Sequence, residues 1–382
     1  MSSFPIPDDA TWKAEDVIAP PCPHYESCGG CRLQHLKEDV YRTWKEDAVR
    51  GVLAQNGIAP EEWAPSVFIA AGRRRRATFA ARKKGGTVTL GFNGFRSHDL
   101  VDIGSCMLLT PRINAVIPSL RESLADIIPE GESVDVFLQN VGEQVDCVLT
   151  GDVIAGGKKD LSSKQIALLA RMADLIGLAR ISLRKGERDI PETQIDLMPI
   201  RAQFGALTVD IPPSAFLQPS AEGEAALVAA VMNGIGKGSK KRKIADLFCG
   251  CGTFTGPLAA ASQVHALDGD RAAIVSLRKA AKGFVNLQAE ERDLFREPLG
   301  PRELRNYDVV VLDPPRAGAA SQAAQLAKST VPNAVYVSCN PETFARDAKI
   351  MLAAGYALKS IQMVDQFIWS SHAELVGVFY RR

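Results

Sequence analysis

Hydrophobic positions follow three different rhythms along this chain. Between residues 34 and 57, Leu36, Val40, Trp44, Ala48 and Leu53 fall on one face of a helical period, and Gly57 closes the segment. Short strand-like runs come next: SVFIA, RATFAAR, TVTLGF and DLVDI. Helices are predicted at 111–128 and 163–179, and SVDVFLQN and EQVDCVLTG read as a hairpin with VGE between them. This middle region is α+β. From about residue 218 strand-like and helix-like segments alternate: KIADLF then TGPLAAA, VHALD then RAAIVSLRKAAK, YDVVVLD then SQAAQLAKS, AVYVSC then PETFARDAKIMLAA. That alternation predicts an α/β unit with a mostly parallel sheet covered by helices. ALKSIQMVDQF and ELVGVFYR have no helix between them and predict an antiparallel edge.

The pattern divides the chain into a Pro-rich tail and cysteine loop (1–33), a helix packing on the C-terminal unit (34–57), a central α+β domain (58–214) and an α/β domain (215–382). Composition agrees: 382 residues, 46% hydrophobic and 23% charged, suit two or three packed domains. The net charge of +1 means that any nucleic-acid contact must come from local basic patches. No signal peptide and no membrane-length apolar run is present, and eight cysteines are too sparse for a disulfide framework. A soluble, cytoplasmic protein is expected, with no membrane and no obligate protein partner. Clustered cysteines in such a chain read as metal-binding or catalytic.

Three stretches carry chemistry. DLFCGCGTFTG (246–256) lies between a strand and a helix, where Gly250 and Gly252 allow a tight turn and close approach of a nucleotide-like ligand. Asp268 ends the next strand, where an acid can hold ribose hydroxyls. A nicotinamide fingerprint wants glycine at position 255, which is Thr255. Cys249 and Cys251 read as small residues in a crowded turn. Asp313, in DPPR, and Cys339, in VSCNP, end two further strands on the same edge of the sheet. A thiol at a helix start is expected to gain from the helix dipole, which lowers its pKa and marks Cys339 as a nucleophile. PCPHYESCGGC (21–31) places Cys22, Cys28 and Cys31 together, with Cys106 as an obvious fourth thiolate. Four thiolates suit zinc or an iron–sulfur cluster, and spacing does not choose between them.

DLFCGCGTFTGPLA, DPPRAG, VSCNPETFARD and HAELV, with AFLQPS at 215–220, resemble in this order the S-adenosylmethionine-dependent RNA uracil-C5 methyltransferases. The resemblance runs from about residue 22 to the end. It implies a Rossmann-like class I methyltransferase domain and a covalent mechanism in which Cys339 adds to C6 of uracil and Glu374 removes the C5 proton. It places Gln218, Phe248, Gly250, Gly252, Thr253, Asp268, Asp293 and Asp313 around S-adenosylmethionine and the target base. Thr253 departs from the asparagine common in the family. His372 is read as a supporting or surface residue. The ribosomal branch has CPH…CGGC and a distant cysteine that hold a [4Fe-4S] cluster. By that resemblance Cys22, Cys28, Cys31 and Cys106 hold the cluster, with zinc as the runner-up, and the substrate is a loop or unpaired uridine of 23S ribosomal RNA. The alternatives are a transfer-RNA 5-methyluridine methyltransferase, an iron–sulfur nicotinamide-dependent oxidoreductase, a non-catalytic RNA-binding module and an amino-group methyltransferase.

For RNA contact the chain offers Arg73–Arg76, Arg82, Lys83 and Lys84, of which at least two of the four arginines are expected on one surface, and Phe92, Phe95 and Arg96 as base-stacking candidates. KGSKKRK (237–243) reads as a solvated linker. Many relatives carry an N-terminal TRAM barrel; the 21 residues before Cys22 are too few for one, so a full barrel is not expected.

Overall fold

A computed structural model describes residues 4, 6, 11–154, 161–237 and 241–381; residues 238–240 of the basic run therefore lie outside the described residues, as does much of the N-terminal tail. The first long element is α1 (Glu38–Gln55). Its most buried stripe is Tyr41, Lys45, Val49 and Leu53, one residue round from the face read in the sequence. Trp44 and Ala48 are half-buried beside it. The stripe rotates because Lys45, polar by type, is turned inward to meet Asp365 at 2.7 Å, with both side chains almost fully buried.

Two short strands follow, β1 (Glu62–Trp63) and β2 (Val67–Phe68). Next come β3 (Arg76–Lys84), β4 (Thr87–Asn93), β5 (Leu100–Asp102), α2 (Pro111–Ile127), β6 (Ser133–Val141), β7 (Gln144–Thr150), α3 (Ser163–Ile176), β8 (Arg180–Arg184) and β9 (Glu192–Asp196). The strands β3–β9 form one seven-stranded sheet in the order β5-β4-β3-β6-β7-β8-β9, antiparallel except for β7 with β8. The helices start where side-chain caps allow: Thr110 accepts from Ile113 N ahead of α2, and Ser162 and Gln165 form a reciprocal capping box ahead of α3. Both helices bury their apolar stripes against one face of this sheet, around Phe79, Leu90, Val136 and Leu149.

The remaining chain builds the larger layer: β10 (Arg201–Phe204), β11 (Leu207–Asp210), α4 (Ala221–Ile235), β12 (Lys243–Leu247), α5 (Thr255–Ala259), β13 (Gln263–Asp268), α6 (Arg271–Ala280), β14 (Leu287–Glu291), α7 (Pro301–Leu304), β15 (Val309–Leu312), α8 (Ala320–Ala327), β16 (Asn333–Ser338), α9 (Pro341–Ala353), β17 (Tyr356–Asp365) and β18 (Glu374–Arg381). The sheet order is β1-β17-β18-β16-β15-β12-β13-β14, parallel from β14 to β16. β18 runs antiparallel between β16 and β17. This is a Rossmann-like α/β layer, with α8 and α9 over one face and α4 and α5 over the other.

Two sequence boundaries shift. SVFIA does not join the central sheet: β1 and β2 add in parallel to β17. The hairpin β10–β11 packs with Cys249, Ala266 and Leu277 of the C-terminal layer. Both shifts come from pairings distant in sequence, which local alternation does not encode. The hairpin also explains Gly256. A Cβ there would stand 1.9 Å from the Phe204 carbonyl oxygen. Gly256→Ala is therefore expected to destabilise the chain by about 2 kcal/mol or more, read as a lower urea midpoint.

Candidate functional site

The carboxyl ends of β12, β13, β15 and β16 open onto one cleft of about 490 Å³. Its first wall is the turn after β12. Phe248 adopts φ +60°, Gly250 +52° and Gly252 +102°. The left-handed backbone at a phenylalanine is strain of the kind that functional turns hold. Gly250 has open space where a Cβ would be, so a ligand can approach its backbone. Gly252 does not line the cleft: a Cβ there would meet Leu277 at 2.9 Å, so this glycine serves the turn and its packing on α6. Cys249 and Cys251 are buried in the core below, the latter thiol pushed up to about 12 chiefly by burial.

Asp268 is already engaged by the turn it faces. Its carboxylate accepts from Gly250 N at 2.8 Å and from Asp270 N at 2.7 Å. It ties the ends of β12 and β13 together and still borders the cleft. Burial raises its pKa above the ordinary range. Beneath the turn Thr255 donates to buried Asp246 at 2.5 Å. Asp293 accepts from Phe295 N at 3.0 Å, and Phe295 packs on Phe248 with ring centres 5.3 Å apart. Thr253, Asp293 and Phe295 all line the cleft.

The opposite wall carries Gln218, Asp313, Arg316, Cys339 and Glu374. Gln218 Nε2 donates to Asp313 Oδ2 at 3.2 Å. Asp313 lies well above the usual carboxylate range because of burial, then of the negative Glu374, Asp246 and Asp268. Burial also pushes Glu374 up to about 7; donation from Gln366 and the positive Arg76 oppose that rise. So many carboxylates in a desolvated cleft favour a cationic ligand.

The expected lowering of the Cys339 pKa is corrected. The thiol is pushed up to about 12, first by burial and then by Glu374 and Asp313, with Arg316 opposing. The start of α9 offers it little. Pro341 has no N–H, and Asn340 accepts from Glu342 N through its side chain and from Phe344 N through its carbonyl. His372 is half-buried, lowered to about 4 by burial and by nearby positive groups.

Cys22, Cys28, Cys31 and Cys106 line one further pocket of about 350 Å³, floored by Arg74, Ala77 and Phe92. Cys31 is pushed up to about 12 by burial, with Cys106, Cys28 and Cys22 adding to the rise. Among the described residues, no three or more His, Cys, Asp or Glu side chains converge tightly enough to hold a single metal ion.

The arginine run departs from expectation. Arg73 is exposed and pairs with Glu222 at 3.2 Å. Arg74 turns toward Cys106 and Cys31. Arg75 donates to Gln218 O at 2.8 Å and to Glu224 at 2.6 Å. Arg76 lies 4.2 Å over the Phe216 ring at the cleft. Three of the four thus organise the two pockets, because Arg73–Arg75 precede β3 rather than alternate along it. Phe92 stacks on Phe79 in the central core, 4.8 Å between ring centres. Phe95 is 44% exposed with Arg32 3.8 Å over its ring. Gln366, Phe216 and Arg316 are site residues that sequence reasoning missed, and Arg76, expected to contact RNA, lies at the cleft instead. Only Arg316, inside DPPR, and Phe216, inside AFLQPS, carried a local signal.

Comparison with known proteins places this arrangement. The model of the tRNA (uracil-5-)-methyltransferase family matches residues 270–382. An uncharacterized RNA methyltransferase of Brucella suis is 41% identical over 362 residues, 94% of this chain and 83% of that protein. A 23S rRNA (uracil(1939)-C(5))-methyltransferase of Halomonas elongata is 32% identical, with 94% and 75% covered. Among solved structures, the Pyrococcus abyssi tRNA (uracil-54, C5)-methyltransferase in complex with S-adenosyl-L-homocysteine aligns with a TM-score of 0.70 at 25% identity, covering 92% of this chain and 86% of that one. With these matches behind the glycine turn, the acidic cleft and the strand-end cysteine, the chain belongs to the S-adenosylmethionine-dependent RNA uracil-C5 methyltransferases.

Proposed function

We propose that this enzyme methylates C5 of a uridine in 23S ribosomal RNA through a covalent adduct with Cys339. The single observation that carries the reading is that Cys339 and Glu374 share one cleft with the Gly250 turn. Bound S-adenosylmethionine supplies the electrophilic methyl group and a sulfonium charge. The residues suited to hold it are Gln218, Phe248, Gly250, Thr253, Asp268, Asp293 and Asp313, whose excess of carboxylates complements a cation. Burial and the nearby carboxylates raise the Cys339 pKa and Arg316 opposes them, so the thiol first releases its proton to solvent in the open cleft. As thiolate, Cys339 bonds to C6, and the displaced π pair makes C5 nucleophilic toward the methyl group. Glu374 then takes the C5 proton, the C5–H pair re-forms C5=C6, and the C6–S pair returns to Cys339. A carboxylic acid near 7 is suited to that transfer at neutral pH.

The 23S assignment is supported by the cysteine pocket and by the Halomonas relative. The test is mapping of 5-methyluridine in cellular RNA with and without the gene. Loss of one position in 23S RNA is expected; loss from transfer RNA instead would overturn the ribosomal assignment. The central domain, with exposed Arg82, Lys84 and Phe95, is proposed to face the RNA, and residues 215–382 to hold the chemistry. A cytoplasmic site of action suits this substrate; among the described residues no helix is long and apolar enough to cross a membrane.

Cys22, Cys28, Cys31 and Cys106 are proposed to hold a [4Fe-4S] cluster. The four thiols line one pocket, where Cys106, Cys28 and Cys22 add to the rise of the Cys31 pKa, and the match of CPHYESCGGC to the ribosomal branch favours the cluster over zinc. The cluster would supply a cross-link between loops, since methyl transfer moves no net electrons. Anaerobic reconstitution is expected to give about four irons per chain and visible absorbance, both lost in Cys106→Ser. Stoichiometric zinc without iron would overturn the assignment.

A further inference from the structure

Gln366 lies between the acidic groups of the cleft. Its Nε2 donates to Gln218 Oε1 at 2.8 Å and to Glu374 Oε1 at 3.3 Å, while Gln218 Nε2 donates to Asp313. Gln218, Gln366 and Glu374 are all buried. The donors fix both amides: reversing Gln366 would set its oxygen against two acceptors. The residue is held from two sides. The preceding Asp365 is bound by Lys45 and Tyr41 of α1. Across from it Gly223 leaves the room, since a Cβ there would lie 2.3 Å from Gln366 Oε1.

On the reading of Glu374 as the base, we propose that Gln366 is a positioning residue that keeps the Glu374 carboxylate ionised and turned toward C5, and ties its orientation to Gln218 and Asp313. The charged and titratable groups facing Glu374 are Arg76 from β3, Asp313 after β15 and Cys339 after β16. Arg76 favours the carboxylate form, while a negative charge on Asp313 or Cys339 disfavours it. Arg76 is also stacked on Phe216, so the one neutral donor to the base is Gln366 among the described residues. Removing that donor leaves Cys339 itself untouched but also frees Gln218 Oε1, so methyl transfer to C5 is followed beside adduct release. The loss of the donor slows the last step, in which the C5 proton moves to Glu374 and the C6–S bond breaks. The methylated RNA–protein adduct then accumulates.

The test uses purified full-length Gln366→Leu with 23S RNA transcript and methyl-labelled S-adenosylmethionine. The labelled adduct on denaturing gels is expected to rise about tenfold over the unmodified protein, the loss of one hydrogen bond to a charged group. The acidic limb of the product-release profile is expected to move to higher pH by about one unit, because a lost donor raises the Glu374 pKa. Gly223→Ala, which crowds the amide without removing it, is expected to raise the adduct likewise, and decides the matter if Gln366→Leu does not fold. Adduct levels and pH midpoints equal to those of the unmodified protein overturn the proposal. If the unmodified protein forms no adduct even with 5-fluorouridine RNA, the underlying covalent reading fails first, and the proposal with it.

Discussion

Cys339→Ala is expected to reduce methyl transfer by at least about 10⁴-fold, the scale seen when a covalent nucleophile is removed. Stability should change little, because the half-buried side chain sits at the rim of the cleft rather than in a core cluster. Transfer of labelled methyl to RNA measures the loss, and the adduct with 5-fluorouridine RNA should vanish in parallel. Cys249 and Cys251 also border the cleft, but they are almost fully buried in the glycine turn and are not expected to substitute for Cys339. Their alanine variants should keep the adduct. Activity of Cys339→Ala within tenfold of the unmodified protein would sink the covalent route.

Lys45→Met is expected to destabilise the protein by about 3–5 kcal/mol, because it leaves Asp365 charged and buried without its partner. Lys45 Nζ also donates to the Phe367 carbonyl at 3.1 Å, and Tyr41 both donates to Asp365 and accepts from Trp369 N. These bonds hold the segment between β17 and β18. Urea titration measures the loss. Adding Asp365→Asn should recover part of it, since a neutral amide costs less to bury than a lone carboxylate. A Lys45→Met midpoint equal to that of the unmodified protein would show that the pair contributes nothing.

The glycine turn, Asp313 and Cys339 were legible in the sequence because each sits at a strand-to-helix junction, where the residue types and the backbone turn are neighbours in the chain. The parallel sheet was legible for the same reason. What escaped depends on long separations. Nothing in the local pattern of α1 marks Lys45 as buried, since its partner Asp365 lies 320 residues away. Gln366 has no motif of its own; its meaning comes from Gln218, 148 residues distant. At least two of the four arginines were expected on one RNA-facing surface because charge suggests surface, yet Arg75 and Arg76 spend theirs on Glu224 and on the face of Phe216. Cys339 lines the cleft, but its titration was misjudged, because the helix start and both carboxylates could be read from motifs while the burial they share with the thiol could not.

The position of β18 has a consequence for biogenesis. This strand is wedged between β16 and β17, pairing with both, although it is made after them. Until residues 374–381 leave the ribosome, the two flanking strands have no hydrogen-bonded neighbour on their facing edges, and an exposed edge invites pairing with other chains. At about 5–20 residues per second, α1 waits roughly 15–60 s for Asp365 to be synthesised. The proposed base arrives on the wedge itself, so a nascent or C-terminally clipped chain has no means of modifying RNA prematurely.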